Sequence, residues 1–190
     1  MINININKEV FKFTYLPDYA TFLLNNKLTE FVTVGIRFCR EVDLPILKPL
    51  AKFSEEELVA LSIESNKNIL TAIANNKIPE LIEINAEKWI DNNLGIIDKE
   101  EITAQDLTLG FYLRRKIYGF FLDAYTKNVF LQKFIISELD VYTTQEELIS
   151  LNIYLQMQRE KMSEMNKELK HRETLLLEAQ CIIGVGSHLL

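Results

Sequence analysis

Near the C-terminus, large apolar residues return every seven positions: Leu148, Leu155, Met162, Leu169, Leu176 and Ile183. Leu151, Met165 and Ala179 follow three residues after members of that series, so the pattern reads as a and d positions of a heptad. A stripe of period seven stays on one side of a helix only when the helix supercoils about a partner. Thr144 and Glu147 have capping-box spacing and mark the predicted start. A helix from Thr144 to Gln180 is about 55 Å long at 1.5 Å per residue, too long for a domain of this size to cover. The d series is imperfect, with Gln158 and Arg172 among its members. Polar d residues weaken a seam but fix its register or leave it adjustable. Glu168 and Glu173 fall on g and the following e, where like charges repel in a parallel dimer. Leu148 to Leu155 can alternatively fold back on its own domain, and a parallel dimer is expected beyond Met162. The expected seam is Leu148, Leu151, Leu155, Met162, Met165, Leu169 and Leu176.

Upstream the spacing is helical, apart from residues 2–6, where Ile and Asn alternate with strand period and no second strand is evident. Residues 1–16 are read as a flexible N-terminal segment. Pro17 to Asn26 reads as a short helix, and Thr29 to Glu41 as a second with Phe31, Val34 and Phe38 on one face. Pro45 and Pro49 break the chain. Ser54 with Glu57 opens a helix through about Asn76, favoured by Glu55 and Glu56 at its positive end. It carries Leu58, Leu61, Ser65, Ile69, Ala72 and Ile73. Pro79 starts the next, with Leu81, Ile82, Ala86, Trp89 and Ile90, and Gly95 lies past its end. Thr103 and Asp106 mark a further start. The stretch from there to about Leu139 is dense in aromatics, more than one narrow stripe needs, and reads as a central helix that divides near Lys127-Asn128. The fold expected is all-α: a helical body over 17–143 and a coiled-coil helix over 144–183. Trp89, Phe111, Tyr118, Phe121 and Tyr125 are the candidate core or ligand pocket.

Composition narrows the function. With 190 residues, 48% hydrophobic and 25% charged, the chain is globular rather than disordered. A net charge of −6 argues against nucleic acid, which needs a basic surface. The dense basic cluster Arg114-Arg115-Lys116 sits among apolar residues and is expected on the outer face of a packed helix. No signal peptide and no bilayer-spanning apolar run is evident, and a cytoplasmic location is expected. Cys39 and Cys181 form no disulfide framework and read as reduced, apolar side chains.

Catalytic chemistry is poorly supplied. His171 and His188 are the only histidines, so the body lacks the usual general base at neutral pH. Glu80, Glu83 and Glu87 share a helix face, but a di-iron site pairs such residues with Glu-x-x-His, which is missing; they read as a solvated face. No phosphate-binding glycine loop or Cys/His metal spacing is present. His171 stands in Lys170-His171-Arg172-Glu173, without the acidic neighbour and nearby proline of a kinase phosphoacceptor, and reads as an exposed coiled-coil residue.

Two stretches carry a resemblance. Residues 176–187, Leu-Leu-Glu-Ala-Gln-Cys-Ile-Ile-Gly-Val-Gly-Ser, resemble the leading helix and first strand of PAS domains in bacterial sensor kinases. His188 stands where an aromatic residue is common. Residues 80–160 combine Trp89, Ile102-Thr103-Ala104-Gln105-Asp106-Leu107, the Arg114-Arg115 pair, Tyr125 and Glu138-Leu139-Asp140. They are similar to the N-terminal sensor modules of stressosome co-antagonist (RsbR-type) proteins and to globin-coupled sensors. That resemblance implies a dimeric, globin-like module. It also implies no haem, because the core has no proximal histidine, and a pocket that is filled or takes an apolar ligand. The expected function is the cytoplasmic sensory input and dimerisation module of a PAS-containing histidine kinase, a homodimer with no cofactor and no catalytic residue of its own. Residues 184–190 would begin a truncated downstream PAS-like domain. The alternative is a helical protein-interaction adapter with no sensing role.

Overall fold

The computed structural model describes residues 6–94 and 98–186, and they are all-α, with no strand among them. The chain divides into two compact units, Met1–Leu151 and Asn152–Leu190. In the first unit a 3-10 turn at Lys8–Phe11 leads into α1 (Leu16–Phe22). This helix widens into a π turn at Leu23–Lys27 and continues as α2 (Leu28–Glu41). A 3-10 turn at Pro45–Leu50 precedes α3 (Glu55–Ala74) and α4 (Ile78–Ile90). Another, at Lys99–Glu101, precedes α5 (Ala104–Phe120), α6 (Leu122–Tyr125) and α7 (Val129–Gly186). The second unit is the remainder of α7.

Helix starts follow local chemistry. Ser54 and Glu57 close a full capping box at α3, and Thr103 and Asp106 close one at α5. Helix ends use a less visible signal. Asp43, Asn76 and Asn92 take φ of 49°, 52° and 55° just past α2, α3 and α4. At each, the next amide donates back to the helix: Leu44 to Cys39, Lys77 to Ala72 and Asn93 to Lys88. This is the Schellman arrangement, with Asx in the place glycine usually holds. Gly95, the expected terminator, lies outside the described residues.

The core gathers Leu16, Tyr19, Ala20 and Leu23 of α1 and its π turn, Phe31 of α2, Leu70 and Ile73 of α3, Ile78 and Ile82 of α4, Tyr118 of α5 and Phe121 and Leu122. Ile135, Leu139 and Tyr142 of α7 complete it. Leu61, expected inward on α3, is exposed.

Three expectations are corrected here. Phe11 and Phe13 are buried core residues, so the flexible segment assigned to 1–16 is docked where it can be seen; residues 1–5 lie outside the description. The amides of Thr14, Tyr15 and Leu16 donate to the Glu138 carboxylate at 2.8, 2.8 and 2.7 Å. Asn76 both accepts from the Phe13 amide and donates to its carbonyl, each at 3.2 Å. The last helix starts at Val129, not Thr144, and the compact unit runs on to Leu151. Thr144 and Glu147 are bound by Arg115 instead of capping a helix. The segment read as a PAS first strand is helical as far as Gly186, and 187–190 lie outside the description. The central aromatic stretch breaks at Phe121 as well as at Thr126–Asn128.

Replacing Glu138 with Ala leaves the α1 N-terminus without its anionic acceptor. Urea denaturation should show a loss of about 2 kcal/mol, the size of a charge-assisted hydrogen-bond set that water partly replaces. Amide exchange should accelerate at Phe11–Leu16 before the rest of the core; unchanged exchange there would refute the tether.

Candidate functional site

The aromatic residues selected from the sequence do not form one pocket. Tyr118 and Phe121 are packed in the core, their rings 5.0 and 5.9 Å from that of Phe31. Tyr125 lies 5.2 Å from both Tyr19 and Phe22. The Tyr19 hydroxyl donates to the Tyr118 carbonyl. Trp89 and Phe111 are buried but lie outside that cluster, and the Phe111 ring carries the Arg114 guanidinium 5.2 Å from its centre. Neither the Trp89 indole N–H nor the Tyr118 hydroxyl has a hydrogen-bond partner among the described residues. Burial pushes the Tyr118 and Tyr142 phenols up, so both stay neutral.

The open space lies elsewhere. A cleft of about 210 Å³ is lined by Phe31, Val32, Gly35, Ile36 and Cys39 of α2, Leu58, Ser62 and Asn66 of α3, Ile117 of α5, and Leu50. Gly35 makes room for it: a Cβ there would sit 3.2 Å from Ile117 Cδ1, so glycine lets α2 approach α5. The wall is apolar apart from Ser62, Asn66 and the Cys39 thiol. Burial pushes that thiol up, which favours its protonated form. An adjoining cavity of about 350 Å³ shares Cys39, Leu50 and Leu58 and adds Arg40, Asp43, Leu44, Lys48 and Ala51. An apolar recess with a few placed polar groups is the usual form of a small-molecule site. The sequence hid it because its residues are ordinary core types on three separate helices.

Beside the cleft, α5 grips α7. Arg114 donates to Glu146 and, at 3.3 Å, to the Tyr142 hydroxyl. Arg115 Nε donates to Thr143 Oγ1 at 2.7 Å, and its Nη2 reaches Thr144 Oγ1 and Glu147 Oε2, both at 3.1 Å. Asp140 lies 3.9 Å from the same guanidinium. The pair expected on an outer face is therefore turned onto a neighbouring helix. Lys116 covers the Phe38 ring at 4.2 Å. The missed signal is a spacing: Arg114-Arg115 against Glu146-Glu147, consecutive pairs on two helices that pack together.

The seam residues are exposed or half-buried. Leu148, Leu155, Met162, Met165, Leu169 and Leu176 leave between 48% and 64% of their surface open. Every described side chain from Arg159 to Glu178 is exposed. His171 is among them, and His188 lies outside the described residues. Among the described residues no cluster of His, Cys, Asp or Glu is arranged to hold a metal ion, and no helix is long and apolar enough to cross a membrane.

No protein-family model, curated protein or solved structure matches this chain.

Glu146 is the more deeply buried of the two clamp acids, at 10% side-chain exposure against 19% for Glu147. Removing its charge strands a guanidinium that is itself mostly covered. Glu146→Gln should cost about 2 kcal/mol in urea denaturation, below the range for a fully buried pair. Glu147→Gln should cost less than half as much, because Arg115 keeps Thr143, Thr144 and Asp140. Equal effects would show that the two pairs are not graded by burial.

Proposed function

We propose that this chain is the sensory input and dimerisation module of a signal-transduction protein. The observation that carries this reading is the apolar heptad stripe on α7, left open to solvent along a stretch exposed on all sides. A helix exposed all round gains nothing from large apolar residues at period seven unless another helix covers them. The seam is of moderate strength, because Gln158 and Arg172 interrupt it. Such a seam suits a helix that shifts between two packings.

The stimulus enters at the α2–α3–α5 cleft, and an apolar small molecule is the ligand class its walls favour. Ile117 lines that cleft, and Arg114 and Arg115, one turn earlier on α5, hold α7 at Tyr142–Glu147. A ligand that displaces Ile117 moves α5, and the two arginines pass the displacement to the helix that bears the seam. The globin-like resemblance and the absence of a core histidine support a haem-free module. The parent protein is read as a cytoplasmic PAS-containing histidine kinase on the sequence resemblance of residues 176–187 alone, since the strand expected there is helical as far as Gly186. That part of the reading does not depend on the cleft.

Sedimentation of the full chain should give a dimer at micromolar concentration. Met162→Glu combined with Leu169→Glu should raise the dissociation constant at least 100-fold, about 2.7 kcal/mol, with no change in the melting of the body. A monomer in the unaltered chain would overturn the reading. The cleft has its own test in the fluorescent apolar probe 1-aminoanthracene. One saturable site per chain is expected, lost in Ser62→Phe, with the dimer constant shifted about five-fold by the probe. Binding that leaves dimerisation unchanged would favour an adapter with an incidental cleft.

A further inference from the structure

Residues 8–16 are held to the body at three separate places. Lys8 pairs with Glu83 of α4 at 3.5 Å. Phe13 shares two hydrogen bonds with the Asn76 side chain just past α3. Thr14, Tyr15 and Leu16 give their amides to Glu138 of α7, and the Tyr15 ring stacks on Phe134, 5.0 Å between centres and 16° between planes. Phe134 and Glu138 are neighbours one turn apart on α7. Both contacts of the segment with α7 therefore stand on one side of that helix. Phe11 and Phe13 are only 2% and 8% exposed while the segment is seated.

These ties close a ring. Through Glu138, α7 holds the start of α1. The Tyr19 hydroxyl of α1 donates to the Tyr118 carbonyl of α5. Arg114 and Arg115 of α5 hold α7 at Tyr142, Thr143, Glu146 and Glu147. On α7 the two ends of the ring are one turn apart, Glu138 and Tyr142. A rotation of α7 that breaks the arginine clamp also swings Glu138 away from the three amides. The corners differ in strength. Glu146 is buried, so opening the clamp strands a covered charge. Thr14 and Tyr15 are exposed, so water replaces the carboxylate at their amides. The Glu138 corner is the one that opens at least cost.

We propose that residues 8–16 form a releasable strap whose docking is linked to the rotation of α7. The strap is seated while the two arginines hold α7 and is let go when the helix turns. With both ties made, opening the Glu138 latch frees the strap alone, because the clamp still fixes α7. With the clamp gone, opening the latch frees strap and helix together and costs less. That difference is a coupling free energy between the two ties, and it is reciprocal. A released strap bares Phe11 and Phe13, so a turn of α7 changes the body surface far from the cleft. This latch requires neither a second copy of the chain nor an occupied cleft.

The test is hydrogen exchange at the amides of Thr14, Tyr15 and Leu16 in the full chain. Arg115→Gln, which touches no strap residue, should speed their exchange about ten-fold or more through easier local opening. Ser54→Ala removes the α3 cap and lowers stability outside the ring, and should leave these amides within about two-fold of the unaltered chain. In a Glu138→Ala background, where the latch is already gone, Arg115→Gln should add less than about two-fold. Unchanged exchange in Arg115→Gln would overturn the proposal. Equal acceleration by Ser54→Ala would overturn it too, by assigning the effect to general loss of stability. The same acceleration with and without Glu138 would show that the effect does not pass through the latch, and the strap would then be independent of α7. Should Arg115→Gln fail to fold, Arg115→Lys keeps the charge but loses the fork, and the same comparisons apply with an expected acceleration of about three-fold.

Discussion

Helix α7 has to be held against the body at one rotation, and its polar contacts are the directional part of the holding. Its buried face is mixed: Ile135, Leu139 and Tyr142 supply apolar area, while Thr143 and Glu146 are buried polar groups that need partners. Arg114 and Arg115 supply them, and Glu138 takes three amides of the N-terminal segment. An apolar face alone would tolerate a modest twist of the helix, because dispersion and burial are not directional. Hydrogen bonds to a guanidinium fork are directional, and breaking one leaves a costly buried charge. These contacts therefore fix the rotation of α7. With it is set the direction in which Phe134, Val141 and Leu148 face.

The aromatic centre has no room for a further molecule. Tyr19, Tyr118, Phe31 and Phe121 are packed ring against ring at 5.0 to 6.4 Å, and Tyr19 is tied to the backbone of α5. A close-packed core transmits displacement but has no room to accept a molecule. Room exists where Gly35 removes a side chain between α2 and α5. Ile117 faces that room one turn from the arginines, so cleft and clamp share one rigid element.

Several acidic and amide side chains serve positions remote in sequence. Asp106 caps α5 and also accepts from the Ile46 amide at 2.8 Å, tying the Pro45–Leu50 turn to the helix start. A shorter acid than the usual Glu is favoured there because both oxygens are used at close quarters. Asn76 ends α3 with its backbone and pairs with Phe13 through its side chain. Each of these residues satisfies a local rule of helix ends and a distant need at once, and only the local half has a sequence signature.

From its own pattern of residues the chain determines that it is helical, where α3 and α5 begin, and that one stretch near its end repeats every seven residues. These are local facts: caps act over three residues, and periodicity is a property of a single helix. The true start of α7 stayed hidden because Thr144 and Glu147 satisfy the capping pattern in mid-helix, where only the approach of Arg115 shows their use. The N-terminal segment looked unattached because its partners, Asn76 and Glu138, are far along the chain. The clamp, the cleft and the outward turn of Phe130 and Phe134 were decided by tertiary structure. Each depends on which faces of separate helices meet, and no spacing within one segment encodes that meeting.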